Sequence, residues 1–221
     1  MQALAVAIRS RWPMPRLTPS WHLAALALLA GCAAPQPPAA APPAPFNELG
    51  RADAPVTIVE FSDLQCPHCA RHAAQVLPEL RRHYVDTGKL RYVARDLPLP
   101  MHAQAFPAAV VARCAGEQGR FWEFREALSM ARMRLGEETY ATLAGQFGLD
   151  AARLEACRRE GAQAAAVRAD MAAAGRLGIR STPTFVIGRT VEGEFKGEIV
   201  AGSKDYATFA QHIDALLAAP R

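Results

Sequence analysis

The sequence lacks an apolar run long enough to cross a membrane. Its N-terminal apolar stretch, Trp21–Ala30, is about ten residues, against roughly 20 for a spanning helix, so a lone transmembrane anchor is the weaker reading. A second cysteine pair or a histidine cluster at metal-site spacing is also missing. Metal binding is thereby reduced to a minor alternative, a soft Cu(I) or Zn site from Cys66, Cys69 and either His72 or His68. No basic cluster is interleaved with aromatic residues, which argues against nucleic acid as a partner. The formal charge of +4 is modest, and residues 1–31 supply most of it, with three of the 25 basic residues (Arg9, Arg11, Arg16) and none of the 21 acidic ones. Without them 22 bases face 21 acids, a net charge of +1.

What the chain does have begins with an address. Basic residues, a short apolar core and small residues form a secretory signal over residues 1–31. It ends in Leu29-Ala30-Gly31-Cys32, which resembles the lipobox of bacterial lipoproteins. The resemblance implies cleavage before Cys32, lipidation of its thiol and anchoring by two or three acyl chains, which hold where one would not. An ordinary cleaved signal with Cys32 nearby is the alternative. Met14 is a second candidate start. Ala33 rather than Asp follows the cysteine, which by the resemblance implies the outer membrane of a host that has one. Residues Ala33–Pro45 are Ala and Pro with a single Gln, a composition for an extended tether reaching roughly 40 Å at ~3.1 Å per residue. The remainder, about 175 residues, suffices for one domain with a sizeable core.

The motif Cys66-Pro67-His68-Cys69 directly follows the apolar, β-branched run Val56–Phe61. It therefore reads as a dithiol at a strand-to-helix turn. The first sulfur then sits at a helix N-terminus, where partial positive charge favours thiolate over thiol. A low-pKa thiolate is a good leaving group, so its disulfide is passed on readily. Pro67 suits the first helical position, where no donor is needed. His68, protonated or oriented as a donor toward Cys66, would stabilise the anion further and make the oxidised form a stronger oxidant. Cys69 is the resolving thiol, deeper and less ionised. A purely structural bridge across so small a loop would add little stability.

After the dithiol, Ala73, Val76, Leu77, Leu80 and Tyr84 fall at helical spacing, with Pro78 placed to kink the helix. Asp86-Thr87-Gly88-Lys89 is a turn and Leu90–Arg95 a second strand. Residues 102–177 lack strand character, and glycines at 116–119, 136, 148 and 161 mark helix ends. Strands return at Val186–Gly188 and Glu198–Val200, predicted to pair across the polar segment 189–197. A last helix carries Tyr206, Phe209, Ile213, Leu216 and Leu217 on one face.

The order βαβ, helical block, ββα resembles an α/β thioredoxin fold with an inserted α-helical domain. Three segments carry the resemblance. Glu60–Cys69 looks like the active-site strand and turn of DsbA-like disulfide oxidoreductases, Ala112–Trp122 like the helical insert of that family's lipoprotein and secreted members, and Gly178–Phe185 like the loop facing the active site. The chain divides accordingly into 1–31 (signal), 32–46 (lipidated Cys32 and tether), 47–101, the insertion 102–177, and 178–221. The resemblance implies that Pro183 is cis against the dithiol and that Thr182 tunes the redox pair and offers its backbone to a client strand; a trans proline opening a strand is the alternative. It also implies that Glu60 lies beneath the dithiol and assists proton transfer, where a strand-end residue facing water would do neither. Asp63, Gln65 and His72 carry no role at this point, and His102 reads as a solvated helix start. Cys114 and Cys157 are expected to form a structural disulfide, with two buried free thiols or a second redox relay as alternatives.

The resemblance thus implies an extracytoplasmic, membrane-tethered enzyme of the periplasmic face. It would introduce disulfides into reduced or unfolded exported proteins and be reoxidised by a quinone-linked membrane partner, with no organic cofactor. A reductase or isomerase is the same-class rival; such proteins often carry a separate N-terminal dimerisation domain, whereas here the tether alone precedes the fold. A lipoprotein copper metallochaperone, or a binding module with a vestigial dithiol, are the rivals from other classes.

Overall fold

A computed structural model describes residues 45–191 and 194–219. The signal, Cys32 and the tether up to residue 44 lie outside the described residues.

The strand β2 (Val56–Ser62) is buried along nearly its whole length, as a continuous apolar run predicts for a strand covered on both faces. It occupies the middle of a five-stranded mixed sheet. On one side it pairs in parallel with β3 (Leu90–Asp96), and β3 pairs antiparallel with the short β1 (Glu48–Leu49). On the other it pairs antiparallel with β4 (Thr184–Val191), which pairs with β5 (Glu194–Ala201). A parallel pair needs a long crossover, and residues between β2 and β3 supply it as α1 (Pro67–Gln75), α2 (Leu77–Leu80) and a wider π-type turn, Arg81–Val85. Pro78 lacks the N–H that would continue the helix; the helix breaks at Val76 and restarts with the proline in its first turn.

Five helices, α3 (Ala105–Gly116), α4 (Phe121–Met130), α5 (Glu137–Gln146), α6 (Ala151–Glu160) and α7 (Ala162–Arg176), lie between β3 and β4. Gly161, with φ 78°, takes the left-handed turn between α6 and α7, a conformation that costs glycine little. The helices bury Val111, Phe124, Leu128, Tyr140, Leu154 and Val167 in a core of their own. Cys114 on α3 is bonded to Cys157 on α6. A second core joins the sheet to α1, α2 and the last helix, α8 (Tyr206–Ala218), through Ile58, Leu80, Tyr92, Phe185, Phe209 and Ile213. A third covers the opposite sheet face with Phe61, Leu97, Ala174, Ile179 and Val186. The βαβ and ββα halves on one sheet, with helices inserted between them, form a thioredoxin fold.

Two elements depart from the sequence reading. The strand β1 carries no pattern of its own and is held by pairing, with Glu48 taking both a 2.7 Å bond from Arg91 Nε and another from Nη2. Of the segment 189–197, expected as a polar connection, residues 189–191 and 194–197 instead extend the two strands of the hairpin. Gly188 faces Gly197 there, and a Cβ on Gly188 would stand 1.9 Å from the Lys196 carbonyl oxygen. The two glycines let the strand backbones approach where any side chain would push them apart.

Candidate active site

The end of β2 and the start of α1 place the dithiol. Cys66 is the residue immediately before the helix, in extended backbone, and Pro67 opens the first turn. The free N–H groups of that turn therefore point toward the sulfur. Cys66 is depressed from 9.0 to about 5: the Cys69 thiol donating to it contributes most, burial opposes, and the backbone N–H groups of Cys69 and His68 and the Thr182 side chain add to the depression. Cys69 moves the other way. Burial raises it most, followed by its hydrogen bond to Cys66 and the charge of Glu60. The two sulfurs thus divide into an anion and a buried neutral thiol.

Opposite them, the Thr182–Pro183 bond is cis, and the Thr182 carbonyl oxygen stands 3.5 Å from Cys66 Sγ. The Thr182 hydroxyl is buried, and it favours the anionic form of the same sulfur. The ring of His68 does not serve the sulfur. It is exposed, with Nδ1 2.9 Å from Arg71 Nη2, and the residue reaches Cys66 through its backbone instead.

Glu60 is 2 % exposed, and its partner is a residue the sequence did not single out. Arg125, from α4, brings Nη2 to 3.7 Å from Glu60 Oε2. Burial works against the Arg125 cation, but Glu60, Asp96, Tyr92 and Cys69 outweigh it and raise it above its ordinary value. The charges continue beyond. Arg113 Nε donates to Asp96 at 2.5 Å, and Arg113 Nη2 also donates to Asp170. Asp170 on α7 takes Arg95 Nη1 at 2.7 Å. Burial raises the Asp96 carboxyl even against Arg113 and Arg125. Acids of the sheet are therefore neutralised by bases of the inserted helices. Arginines on helices read as solvated in a sequence; the available signal was that Arg113 lies inside the apolar run Val110–Ala115 and Arg125 directly follows Phe124.

His72, one turn after Cys69, is wholly buried against Tyr92, Phe185 and Phe209. Its Nε2 is 3.0 Å from the Tyr92 hydroxyl, and burial lowers it to about 4, so it is neutral. His102 is not a solvated helix start: α3 begins at Ala105, and His102 Nδ1 lies 2.8 Å from Asp63 Oδ2. Asp63 also accepts from the backbone N–H groups of Gln65 and Leu99, both at 2.7 Å, while its own carbonyl accepts from Cys66 N. One buried carboxylate thus fixes the chain that delivers Cys66. Among the described residues no three His, Cys, Asp or Glu side chains converge as a metal site.

A family model described as thioredoxin matches residues 46–215. The chain belongs to the thioredoxin family. It is 34 % identical over 156 residues to Na(+)/H(+) antiporter NhaA 3 of Salinispora tropica, covering 70 % of this chain and 23 % of that protein. It is 36 % identical over 78 residues to a Rickettsia bellii protein named as a protein-disulfide oxidoreductase, covering 35 % of this chain and 29 % of the other. The chain thus spans about a quarter of the length of these curated relatives. Among solved structures, Pseudomonas aeruginosa DsbA2 matches with a TM-score of 0.62 and 29 % identity, over 80 % of this chain and 96 % of that one. No described helix is long and apolar enough to cross a membrane.

Proposed function

We propose that the protein is a DsbA-like thiol:disulfide oxidoreductase acting outside the cytoplasm, where it donates the Cys66–Cys69 disulfide to reduced exported proteins. The observation that carries this reading is the opposite ionisation of the two sulfurs, about 5 for Cys66 against a strongly raised Cys69. A client thiolate attacks Cys66 Sγ; the new bond joins client and enzyme, and the Cys66–Cys69 bond breaks. Cys69 leaves as a thiolate and takes a proton at once, as its raised pKa requires; the proton is the one the client thiol released on ionising, and the Glu60 carboxylate is the nearby group that relays it. A second client thiolate then attacks the client sulfur of the mixed disulfide. Cys66 departs as its stable anion, leaving an oxidised client and a dithiol enzyme. Thr182, with its carbonyl against Cys66, is the backbone edge that a client strand meets in this reading. A quinone-linked membrane partner restores the disulfide, and lipidated Cys32 with the Ala/Pro tether holds the domain at the membrane, at the outer membrane in a host that has one.

Low leaving-group pKa favours donation over reduction, which supports this reading over the reductase. The likeness to Pseudomonas aeruginosa DsbA2 and to the Rickettsia oxidoreductase supports the same chemistry. The test is oxidation of a reduced model protein by the purified, oxidised chain, together with the equilibrium potential of the pair. Activity is expected to vanish in Cys66→Ala, and the potential to lie nearer the oxidising end of about −120 to −270 mV. A potential at the thioredoxin end would favour the reductase.

A further inference from the structure

The hairpin that ends the sheet leaves one long edge open. The strand β5 pairs with β4 on one side, and among the described residues no strand pairs with the other. The helix α8 packs over β2 and β4, and α7 against β3, so residues 195–199 of β5 are all exposed. Such an edge offers unpaired N–H and C=O groups, and proteins usually protect it with proline, a bulge or a very short strand. β5 has eight residues and no proline, and its register with β4 runs unbroken from Glu194 to Ala201. It also shows two large apolar side chains to water, Phe195 at 37 % and Ile199 at 51 % exposure. Alternate residues of a strand share a face. Ile199 stands opposite Val186, so it and Phe195 lie on the side of the Phe61–Ile179 core. Lys196 and Glu198 lie on the other side, with Val200, which packs toward the core beneath α8.

This edge complements itself. An antiparallel copy of the strand centred on Gly197 sets Lys196 against Glu198 on one face and Phe195 against Ile199 on the other, and a two-fold axis makes each pair occur twice. Opposite charges and apolar residues directly across a strand pair are both favourable. The neighbouring registers that keep each face together are centred on Lys196 or on Glu198, and each sets a like charge against itself. At the Gly197 centre two glycines meet, with no side chain to hold the backbones apart. We infer that β5 pairs with β5 of a second copy of this chain about Gly197, joining the two sheets into one. The occupant is a second copy rather than an extended client because the charges and apolar residues of β5 match those of β5 itself. The pairing does not depend on the thiol chemistry.

Sedimentation equilibrium of the full chain is expected to show a dimer of twice the 23.8 kDa chain mass, with a dissociation constant of roughly 100 µM or below, as suits a small interface. Glu198→Lys sets lysine against lysine twice, and Lys196→Glu sets glutamate against glutamate twice. Each is expected to weaken the dimer at least tenfold. Mixed together, the two variants regain opposite charges at every pair, and they are expected to form a heterodimer about as tight as the parent dimer. Alkylation of Cys66 with the pH profile of the parent shows that each variant is folded. The pairing is refuted if the parent sediments as a monomer up to about 1 mM, whether or not it captures an extended peptide. It is also refuted if either folded single variant dimerises as the parent does, or if the mixture stays monomeric. Should a charge variant fail to fold, Ile199→Lys takes its place by removing the apolar pair twice. Folded Ile199→Lys is expected to dimerise at least tenfold more weakly, and an unchanged dimer refutes the pairing.

Discussion

At the scale of single residues, the chemistry rests on where two protons sit. With Cys66 at about 5, its alkylation by iodoacetamide in the reduced protein should follow a titration with a midpoint near pH 5. A midpoint near 8.5, that of a free cysteine, would mean that the helix start and its neighbours do nothing for the sulfur. Beneath it, Glu60 and Arg125 hold each other in a dry interior. Breaking a buried pair from one side leaves a bare charge, typically worth 3–5 kcal/mol, whereas removing both is often close to neutral. Arg125→Met should therefore lose about 3–5 kcal/mol in urea unfolding, and Glu60→Gln combined with Arg125→Met should recover most of it; equal losses in the single and double variants would show that the pair is not coupled. The dithiol's place was legible because Cys66 and Cys69 are rare residues at a spacing with few other uses. Arg125 was not, because a lone arginine on a helix looks the same in a sequence whether water or a carboxylate awaits it.

Elements tell a similar story about what a one-dimensional pattern contains. The strand β2 announces itself as a continuous apolar run and the helix α8 by its periodicity, since each presents apolar residues to a large core. The strand β1 has two residues and exists through its partner β3. The length of the β4–β5 hairpin was missed for another reason: Gly188 and Gly197 normally read as strand breakers, but here each makes room for the other's backbone. Gly188→Val should consequently cost about 2 kcal/mol or more, within the range of overpacked or clashing positions, measurable as a lowered urea midpoint. A valine tolerated without loss would mean the strands separate there at no cost. The Cys114–Cys157 bond spans 43 residues, a loop whose closure is worth about 4 kcal/mol by chain entropy. Cys114→Ala with Cys157→Ala should lower stability by about 2–4 kcal/mol without changing the Cys66 alkylation profile; a shifted profile would assign this pair to redox chemistry instead.

For the molecule as a whole, the depressed thiol couples redox state to pH. A group lowered on folding stabilises the fold above its unfolded pKa, and this is lost as pH falls through the folded value. For Cys66 the window runs from near 9 down to about 5. The oxidised chain has no thiol there, so the reduced form should gain on it as pH rises from 5 to 9. The same balance sets the potential. Between pH 5 and 9, reduction takes up two electrons and one proton, so the midpoint should fall by about 30 mV per pH unit, a tenfold change in equilibrium constant for a two-electron couple. Below pH 5 a second proton joins, and the slope should double. A slope of about 60 mV throughout would place both thiols in their neutral form and remove the basis for disulfide donation. The buried charges set one further condition. Asp96 and Glu60 belong to strands, whereas Arg113 and Arg125 belong to the helices between β3 and β4. A shortened protein with those helices excised would keep every strand and both active sulfurs, yet strand two carboxylates in oil. Evolution or an engineer can lengthen or ornament that helical segment far more easily than delete it.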